Sequence, residues 1–232
     1  MLTIHWRRIK FYLGEFISSF IFGFIIFLTA ICAKHNYSYF NLVLGSCIAS
    51  TSTIVLIIAL EDMCLVHFNP AYSFSEFILK RYLCQPFDFS ILIFMIILQF
   101  LGFAVSAWVI KYIFCYCDME VMRKILPRKI LRGKMNLYLF ELILSIMNSI
   151  VALRSRRRYI ISPVIVGVMV AGTAVSSDTP TLKTFNPGTA LGSKILFNSQ
   201  ENVIESIIAE FVGGAVGTFV YIVLFYGKYG PS

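Results

Sequence analysis

The sequence predicts an all-α membrane protein in which six transmembrane helices accompany two shorter, re-entrant half-helices. Three observations support this fold class. Hydrophobic residues make up 58% of the 232-residue chain and charged residues only 14%, about half the charged share of an ordinary soluble domain. Six apolar segments approach the ~20 residues that cross a bilayer. Finally, a short Asn-Pro phrase occurs twice, each time before an apolar run too brief to span.

The six apolar segments define the predicted spans. The first has a basic lead-in like that of a signal peptide, but its apolar stretch is too long for one and contains Glu15. We therefore expect a multi-pass protein embedded in a lipid bilayer. The predicted spans cover about residues 11–33, 41–60, 91–114, 137–153, 160–177 and 204–226.

The formal net charge of +8 does not indicate nucleic acid as a partner. The basic residues form short runs between the apolar segments, where they face lipid headgroups. The six cysteines lie mostly inside or beside apolar segments and show no Cys-x-x-Cys spacing, so we interpret them as small buried hydrophobes. No metal and no other cofactor is predicted.

The two Asn-Pro phrases are "HFNPAY" (67–72) and "TFNPGTA" (184–190). Proline is accommodated in the first turn of a helix because its missing N–H is not needed there. Each Asn-Pro is therefore predicted to begin a helix that is too short to cross the membrane. Such half-membrane segments are tolerated only where protein or a water-filled cavity surrounds them.

The two halves of the chain resemble each other in sequence. The phrase "YLGEFI" around Glu15 is echoed by "YLFELI" around Glu141, and "IILQFLGFAV" around Gln99 is echoed by "IIAEFVGGAV" around Glu210. One Phe-Asn-Pro lies between the members of each pair, so the order of features is the same in both halves. The predicted boundaries are about 11–115 for repeat one, 116–136 for a basic connecting loop and 137–226 for repeat two, within a single domain of residues 1–232.

Each repeat contains three spans and one half-helix. Because three is an odd number, the repeats insert with opposite orientations, and inverted repeats place the functional site at their interface near the midplane. The two half-helices are then expected to enter from opposite faces and to meet with their N-termini facing each other. The pore-centre residues predicted in this way are Asn69, Pro70, Ala71, Asn186, Pro187 and Gly188.

Two facing helix N-termini create a region of positive potential, since each carries free backbone N–H groups. We expect the Asn69 and Asn186 side chains to add amide donors aimed into the same cavity. A water molecule there would accept hydrogen bonds from both amides, which interrupts a proton-conducting chain, while the potential repels cations. Asparagine is also a common helix N-cap, but two copies at equivalent positions of an inverted repeat favour a pore.

These residues resemble the signatures of the aquaporins, or major intrinsic proteins, over nearly the whole chain. The matching features are Glu15 and Glu141 in the first and fourth spans, "HFNPA" (67–71), the third span with its Gln99, and the second Asn-Pro loop. The resemblance implies six tilted helices plus two half-helices, usually as a homotetramer with one pore per subunit. It implies passive flow of water, or of a small neutral solute such as glycerol.

The chain departs from the family pattern at the positions that the resemblance assigns to the outer selectivity filter. Gly188 replaces the usual alanine, and Thr189 stands where most members have an arginine. Gap-free counting places two further filter positions at Ala49 and Ala174, so small residues replace an aromatic and a histidine. Lys183 is either a substitute for the missing charge or a solvated loop lysine. These changes resemble the unorthodox branch of the family and imply a wider, more apolar mouth.

Three polar residues are predicted to support the loops rather than to line the pore. Glu15 and Glu141 are costly in hydrocarbon and are therefore functional candidates. The resemblance implies that this pair hydrogen-bonds the backbone of the half-helix loops, with His67 as a third member. A proton relay through the glutamates and a pH gate at His67 remain alternatives, since histidine titrates near neutrality.

Several alternatives to a simple channel stay open at this point. They are a proton-coupled secondary transporter and a non-conducting or gated scaffold or adhesion member of the same fold. An enzyme is not predicted, because the catalytic motifs of intramembrane or hydrolytic enzymes are absent from the sequence. The resemblance implies cytoplasmic termini, which would place the Asn36-Tyr37-Ser38 sequon outside or in a lumen; the plasma membrane and intracellular membranes are both compatible with the sequence.

Overall fold

The computed structural model describes residues 2–35, 39–117, 134–155, 162–176, 185–197 and 202–226. Within these ranges every regular element is a helix, so the predicted all-helical class is confirmed. The helices are α1 (Leu2–His35), α2 (Tyr39–Leu60), α3 (Pro70–Tyr82), α4 (Phe89–Cys117), α5 (Lys134–Ser155), α6 (Ser162–Ser176), α7 (Pro187–Phe197) and α8 (Val203–Tyr226).

Each of the six predicted spans corresponds to one of the longer helices. Among the described residues, 4 helices are long and apolar enough to cross a membrane, namely α1, α2, α4 and α8. Helix α5 has 22 residues but contains Lys134, Glu141 and Arg154, which lower its mean hydropathy. Helix α6 is described over only 15 residues. These two helices correspond to the two shortest predicted spans, 137–153 and 160–177.

The two short helices begin at the prolines of the two Asn-Pro phrases, as predicted. Helix α3 has 13 residues and α7 has 11, so at ~1.5 Å per residue both are much shorter than the ~30 Å hydrocarbon layer. Helix α3 packs against α4, α5 and α8, whereas α7 packs against α1, α4 and α8. Each half-helix therefore contacts the last long helix of the opposite half.

The long helices pack in equivalent pairs. Helix α1 packs on α4 in the first half, α5 packs on α8 in the second half, and α2 packs on α6 to join the halves. Glycine permits the closest approaches: a Cβ at Gly217 of α8 would lie 2.6 Å from the Ile146 carbonyl oxygen of α5, and one at Gly167 of α6 would lie 2.9 Å from the Ser50 carbonyl oxygen of α2. These small residues therefore serve packing inside the bundle.

Some predicted features lie outside the described residues. They are Asn36 of the glycosylation sequon, Lys183 of the proposed filter and residues 118–133 of the basic connecting loop. Ala174 lies within α6.

Candidate functional site

The two asparagines of the Asn-Pro phrases act as N-caps of the half-helices. Asn69 Oδ1 accepts hydrogen bonds from the N–H groups of Ala71 at 3.0 Å and Tyr72 at 3.3 Å. Asn186 Oδ1 accepts one from the Gly188 N–H at 2.9 Å. Each oxygen thus satisfies N–H groups that the first helical turn leaves without an intrahelical partner.

The amide nitrogens of the same two asparagines reach across to the opposite half-helix. Asn69 Nδ2 donates to the carbonyl oxygen of Phe185 at 3.4 Å, and Asn186 Nδ2 donates to that of Phe68 at 2.6 Å. Each asparagine therefore bonds to the residue immediately before the other asparagine. This pair of crossed hydrogen bonds holds the two half-helix N-termini together.

The two acceptor residues have unusual backbone conformations. Phe68 has φ 30° and Phe185 has φ 50°, in the left-handed region that costs a non-glycine residue roughly 1–2 kcal/mol. The same strained conformation at both positions accompanies the two crossed bonds. One of the two N–H groups of each amide is thus engaged within the protein, which refines the expectation that the amides donate into the cavity. Each amide carries a second N–H group, which the crossed bonds leave available.

A cavity of about 220 Å³ reaches the two asparagines. Asn69 is 8% exposed and Asn186 is 2% exposed, so both lie deep in the protein. On one side the cavity is lined by the segment between α2 and the first turn of α3, which contributes Glu61, His67 and Tyr72 together with apolar residues such as Leu65 and Val66. The other walls come from α1, α2, α5 and α6 and are almost entirely apolar.

Glu15 connects three separate elements around the first half-helix. The side chain is completely buried on α1. Its Oε1 accepts a hydrogen bond from the His67 backbone N–H at 3.3 Å, and its Oε2 accepts one from Gln99 Nε2 of α4 at 2.8 Å. The structure therefore places Glu15 and His67 together beside the segment that enters α3, where the sequence predicts loop support.

Ser73 extends this set of hydrogen bonds into α3. Its Oγ lies 3.0 Å from His67 Nδ1 and 2.9 Å from Gln99 Nε2, which donates to it. The same hydroxyl donates to the Asn69 carbonyl oxygen at 3.2 Å. Gln99 and Ser73 were not among the predicted site residues, although the alignment of Gln99 with Glu210 marks the position as one where a polar side chain recurs.

The His67 ring also contacts a buried acid that the sequence reading missed. His67 Nε2 lies 2.6 Å from Glu76 Oε2, and Glu76 Oε1 lies 2.9 Å from Lys80 Nζ. Glu76 is 1% exposed, and because a carboxylate oxygen only accepts, the His67 Nε2 is the donor. Burial lowers the pKa of Lys80. The Glu76 and Lys80 spacing of four residues on one helix was the available signal.

Cys64 lies beside Glu15 without adding a charge to this region. Burial raises the pKa of the Cys64 thiol to about 12, and the negative charge of Glu15 raises it as well. The thiol therefore stays protonated at neutral pH. Cys64 is thus a buried hydrophobe as interpreted, whereas Cys32, Cys47 and Cys84 are exposed in the single chain, so the interpretation is wrong for those three.

The second half has a related but different set of buried polar residues. Glu141 is 1% exposed and its Oε1 accepts a hydrogen bond from Ser206 Oγ at 3.2 Å. Ser145 Oγ donates to the backbone carbonyl of Glu210 at 2.8 Å. The loop that Glu141 is predicted to support, residues 177–184, lies outside the described residues.

The predicted filter residues that are described lie on three different helices, and neither Ala49 nor Thr189 lines the cavity of about 220 Å³. Thr189 lies in the first turn of α7, is 4% exposed, and its Oγ1 donates to the Asn186 carbonyl oxygen at 2.8 Å. Ala49 of α2 is fully buried in the apolar core. Ala174 is placed as a helical position of α6, and Lys183 is not described.

The glycine of the second Asn-Pro phrase is explained by a side chain from α4. A Cβ at Gly188 would clash with Phe103 Cδ2. The Phe103 ring is fully buried, and it packs edge-on against Phe22 and Phe27 with ring centroids 6.2 and 6.3 Å apart. The ring therefore occupies the space that the methyl group of an alanine would take.

Gly188→Ala is expected to destabilise the protein by about 1–3 kcal/mol, the usual cost of overpacking a core. Adding Phe103→Leu should recover much of that loss, because the smaller side chain leaves room for the methyl group. Thermal unfolding of the purified protein, measured for both single variants and the double variant, gives the coupling energy. Independent, additive effects would contradict the steric explanation.

Two capped half-helices are joined N-terminus to N-terminus beside a cavity within a bundle of apolar helices. This arrangement defines a channel-type membrane protein. The family model described as major intrinsic protein matches residues 3–221. The chain belongs to this family, whose members are channels for water or small solutes and not enzymes. The family assignment that the sequence motifs indicate is thereby confirmed.

Individual relatives agree with this assignment. An aquaporin of Enterocytozoon bieneusi (strain H348) is 25% identical in an alignment 233 residues long that covers 92% of this chain and 94% of that protein. An aquaporin of Vairimorpha ceranae (strain BRL01) is 31% identical over 106 residues, or 45% of this chain and 41% of that protein. The aquaglyceroporin from Plasmodium falciparum has a similar fold, with a TM-score of 0.74, 18% identity and coverage of 95% of this chain and 98% of that one.

Proposed function

We propose that this channel conducts water and small neutral solutes passively and excludes ions and protons at the junction of its half-helices. The observation that supports this proposal is the pair of crossed hydrogen bonds from Asn69 to the Phe185 carbonyl and from Asn186 to the Phe68 carbonyl. These bonds keep two helix N-termini in one place at the end of the cavity. Pro70, Ala71, Pro187 and Gly188 complete the pore centre.

The electrostatics of the junction provide the selectivity. Each helix N-terminus carries the equivalent of about half a positive charge, and two of them face the same small volume. A cation there meets repulsion without the water that normally solvates it. The remaining amide N–H groups of Asn69 and Asn186 donate hydrogen bonds to the oxygen of a water molecule, which then directs its own protons away from the junction, so protons are not relayed.

The outer constriction is assigned to Ala49, Ala174 and Thr189, with Lys183 supplying a charge in place of the arginine usual at this position in the family. Small side chains at these positions widen the mouth and favour solutes larger than water. One relative of similar fold is an aquaglyceroporin, so glycerol is included among the candidate solutes. Glu15, His67 and Glu141 act as loop supports.

We assign repeat one to residues 11–115, repeat two to 137–226 and the connecting loop to 116–136. The protein assembles as a homotetramer with one pore per subunit and has cytoplasmic termini. Lipid-facing apolar side chains such as Ile97, Trp108 and Phe219, all more than half exposed in the single chain, are compatible with contacts to lipid and to neighbouring subunits.

Stopped-flow light scattering of the purified protein in liposomes tests the proposed function. We expect shrinkage in a sucrose gradient to be much faster than in empty liposomes, with measurable entry of glycerol or urea, and no acceleration of proton leak reported by an enclosed pH-sensitive dye. Flux that requires a pH gradient would instead indicate a proton-coupled transporter. Folded protein without any flux above empty liposomes would indicate a scaffold or a closed, gated channel and would contradict the proposal.

A further inference from the structure

One side chain interrupts the apolar walls of the cavity. The long helices α1, α2, α5 and α6 contribute apolar lining residues such as Phe22, Ile57, Ala152 and Val166, and Asn148 of α5 is the only polar residue that they add within the described part of the chain. Asn148 is half-buried. It lines the same cavity as Asn69 and Asn186.

The Asn148 amide has no hydrogen-bond partner in the described part of the protein, in contrast to the polar residues that flank it on α5. Ser145 donates to the Glu210 carbonyl oxygen at 2.8 Å, and Ser149 Oγ lies 3.2 Å from Ser75 Oγ. These serines serve contacts between helices, whereas the amide of Asn148 borders open space. Withdrawing an amide from water without a partner costs free energy, so whatever fills the cavity must satisfy it.

The position of this amide changes which molecules the cavity fits. A water molecule needs only the donors at the half-helix junction, and the cavity of about 220 Å³ exceeds the ~30 Å³ that one water occupies. A small polyol has hydroxyl groups along one edge and C–H groups along the other, which suits a cavity with one polar and one wholly apolar side. An amide on the apolar side disrupts that match.

Urea has the opposite distribution of groups. Its carbonyl oxygen accepts hydrogen bonds at one edge, and its two NH2 groups donate at the other edge. The remaining N–H groups of Asn69 and Asn186 supply donors at the junction, and Asn148 Oδ1 supplies an acceptor on the helix wall of the same cavity. A planar solute with hydrogen-bonding groups on all edges can therefore find partners both at the junction and at Asn148 as it passes through the cavity.

We propose that Asn148 forms, with the half-helix junction, a binding site that selects small amides of the urea type over polyols. This inference rests on the proposed channel function and adds to it a solute class and the residue that recognises it. It requires no chemical step, since the solute binds and leaves unchanged.

The test compares solute fluxes through full-length protein in liposomes, for the wild type, Asn148→Leu and Asn148→Ala. Both substitutions should lower urea permeability by about fivefold, roughly the effect of losing one hydrogen bond. Water permeability should stay within about twofold of the wild-type value. The ratio of glycerol permeability to urea permeability should therefore rise. Met147→Leu is the matched control, because Met147 is the neighbouring residue on α5 and is 48% exposed on the outer surface. It should change no ratio.

The outcomes separate this inference from the proposed function. A wild-type protein without any water or solute flux would contradict the channel function itself. A wild-type protein that conducts water but no urea, or an unchanged urea-to-water ratio in both Asn148 variants, would overturn only the amide site. Thermal unfolding of each variant verifies that the compared proteins are folded, and Asn148→Ala remains informative if the bulkier leucine obstructs the cavity.

Discussion

Replacing Glu15 by glutamine is expected to remove most of the water permeability and to destabilise the protein by about 1–3 kcal/mol. Both carboxylate oxygens accept hydrogen bonds, one from the His67 backbone N–H and one from Gln99 Nε2. A glutamine at this fully buried position offers one acceptor, so its NH2 group must face one of the two donors. The segment that enters α3 then loses an anchor, and the half-helix junction shifts.

The strongest test of this explanation is the exchange of both side chains. In the double variant Glu15→Gln, Gln99→Glu, the amide at position 15 accepts from the His67 N–H and donates to the new carboxylate. The hydroxyl of Ser73, which lies 3.2 Å from Gln99 Oε1, then donates to that carboxylate instead of accepting from an amide, so each donor again meets an acceptor. Stopped-flow water flux and thermal unfolding should return close to wild type, although each single variant is impaired. A double variant as damaged as the sum of the singles would show that hydrogen-bond matching is not what makes Glu15 important.

Asn186→Asp is expected to have the second large effect, on both stability and ion exclusion. The aspartate keeps the oxygen that accepts the Gly188 N–H but replaces the Nδ2 donor by an oxygen that faces the Phe68 carbonyl at the position of a 2.6 Å hydrogen bond. An uncompensated buried charge typically costs about 3–5 kcal/mol. The negative charge also offsets the positive potential of the two helix N-termini, so cation and proton leak should rise.

Two comparisons make this prediction specific. Asn69→Asp should have the same kind of effect but a smaller one, because the bond from Asn69 to Phe185 is longer, at 3.4 Å. Gln85→Glu makes the same amide-to-acid change at an exposed position and should leave stability and leak at wild-type values. Thermal unfolding and dye-reported proton leak in liposomes measure both quantities; an Asn186→Asp protein that behaves like Gln85→Glu would contradict the role assigned to the crossed bonds.

The fold was largely predictable because each of its features has a local sequence signal. Hydrophobic length located the long helices, proline in a first turn located the start of α3 and α7, and the echo of Glu15 in Glu141 indicated the internal repeat. The first two signals depend only on residues close together in the chain, and the third on the comparison of two such stretches. Helix ends were less predictable: α1 begins at Leu2, well before the apolar stretch that starts near residue 11.

The contacts between distant residues were not predictable in the same way. Nothing near Gly188 in sequence shows that the ring of Phe103 fills the space beside it, and the apolar stretch around Gln99 does not reveal that its amide bonds Glu15. Asn148 lies in an apolar helix where only the tertiary arrangement decides whether it faces lipid, another helix or the cavity. These pairings follow from how the helices pack rather than from the pattern along any one of them.

The crossed bonds at the half-helix junction also bear on how the chain is synthesised. The ribosome completes the first half before the second half exists, so Asn69 and the Phe68 carbonyl enter the membrane before their final partners, the Phe185 carbonyl and Asn186, have been made. Glu15, Gln99 and Ser73 all belong to the half made first, and their hydrogen bonds around residues 67–73 need nothing from later in the chain. The early half can therefore hold its entering segment in position until the late half arrives and closes the pore centre.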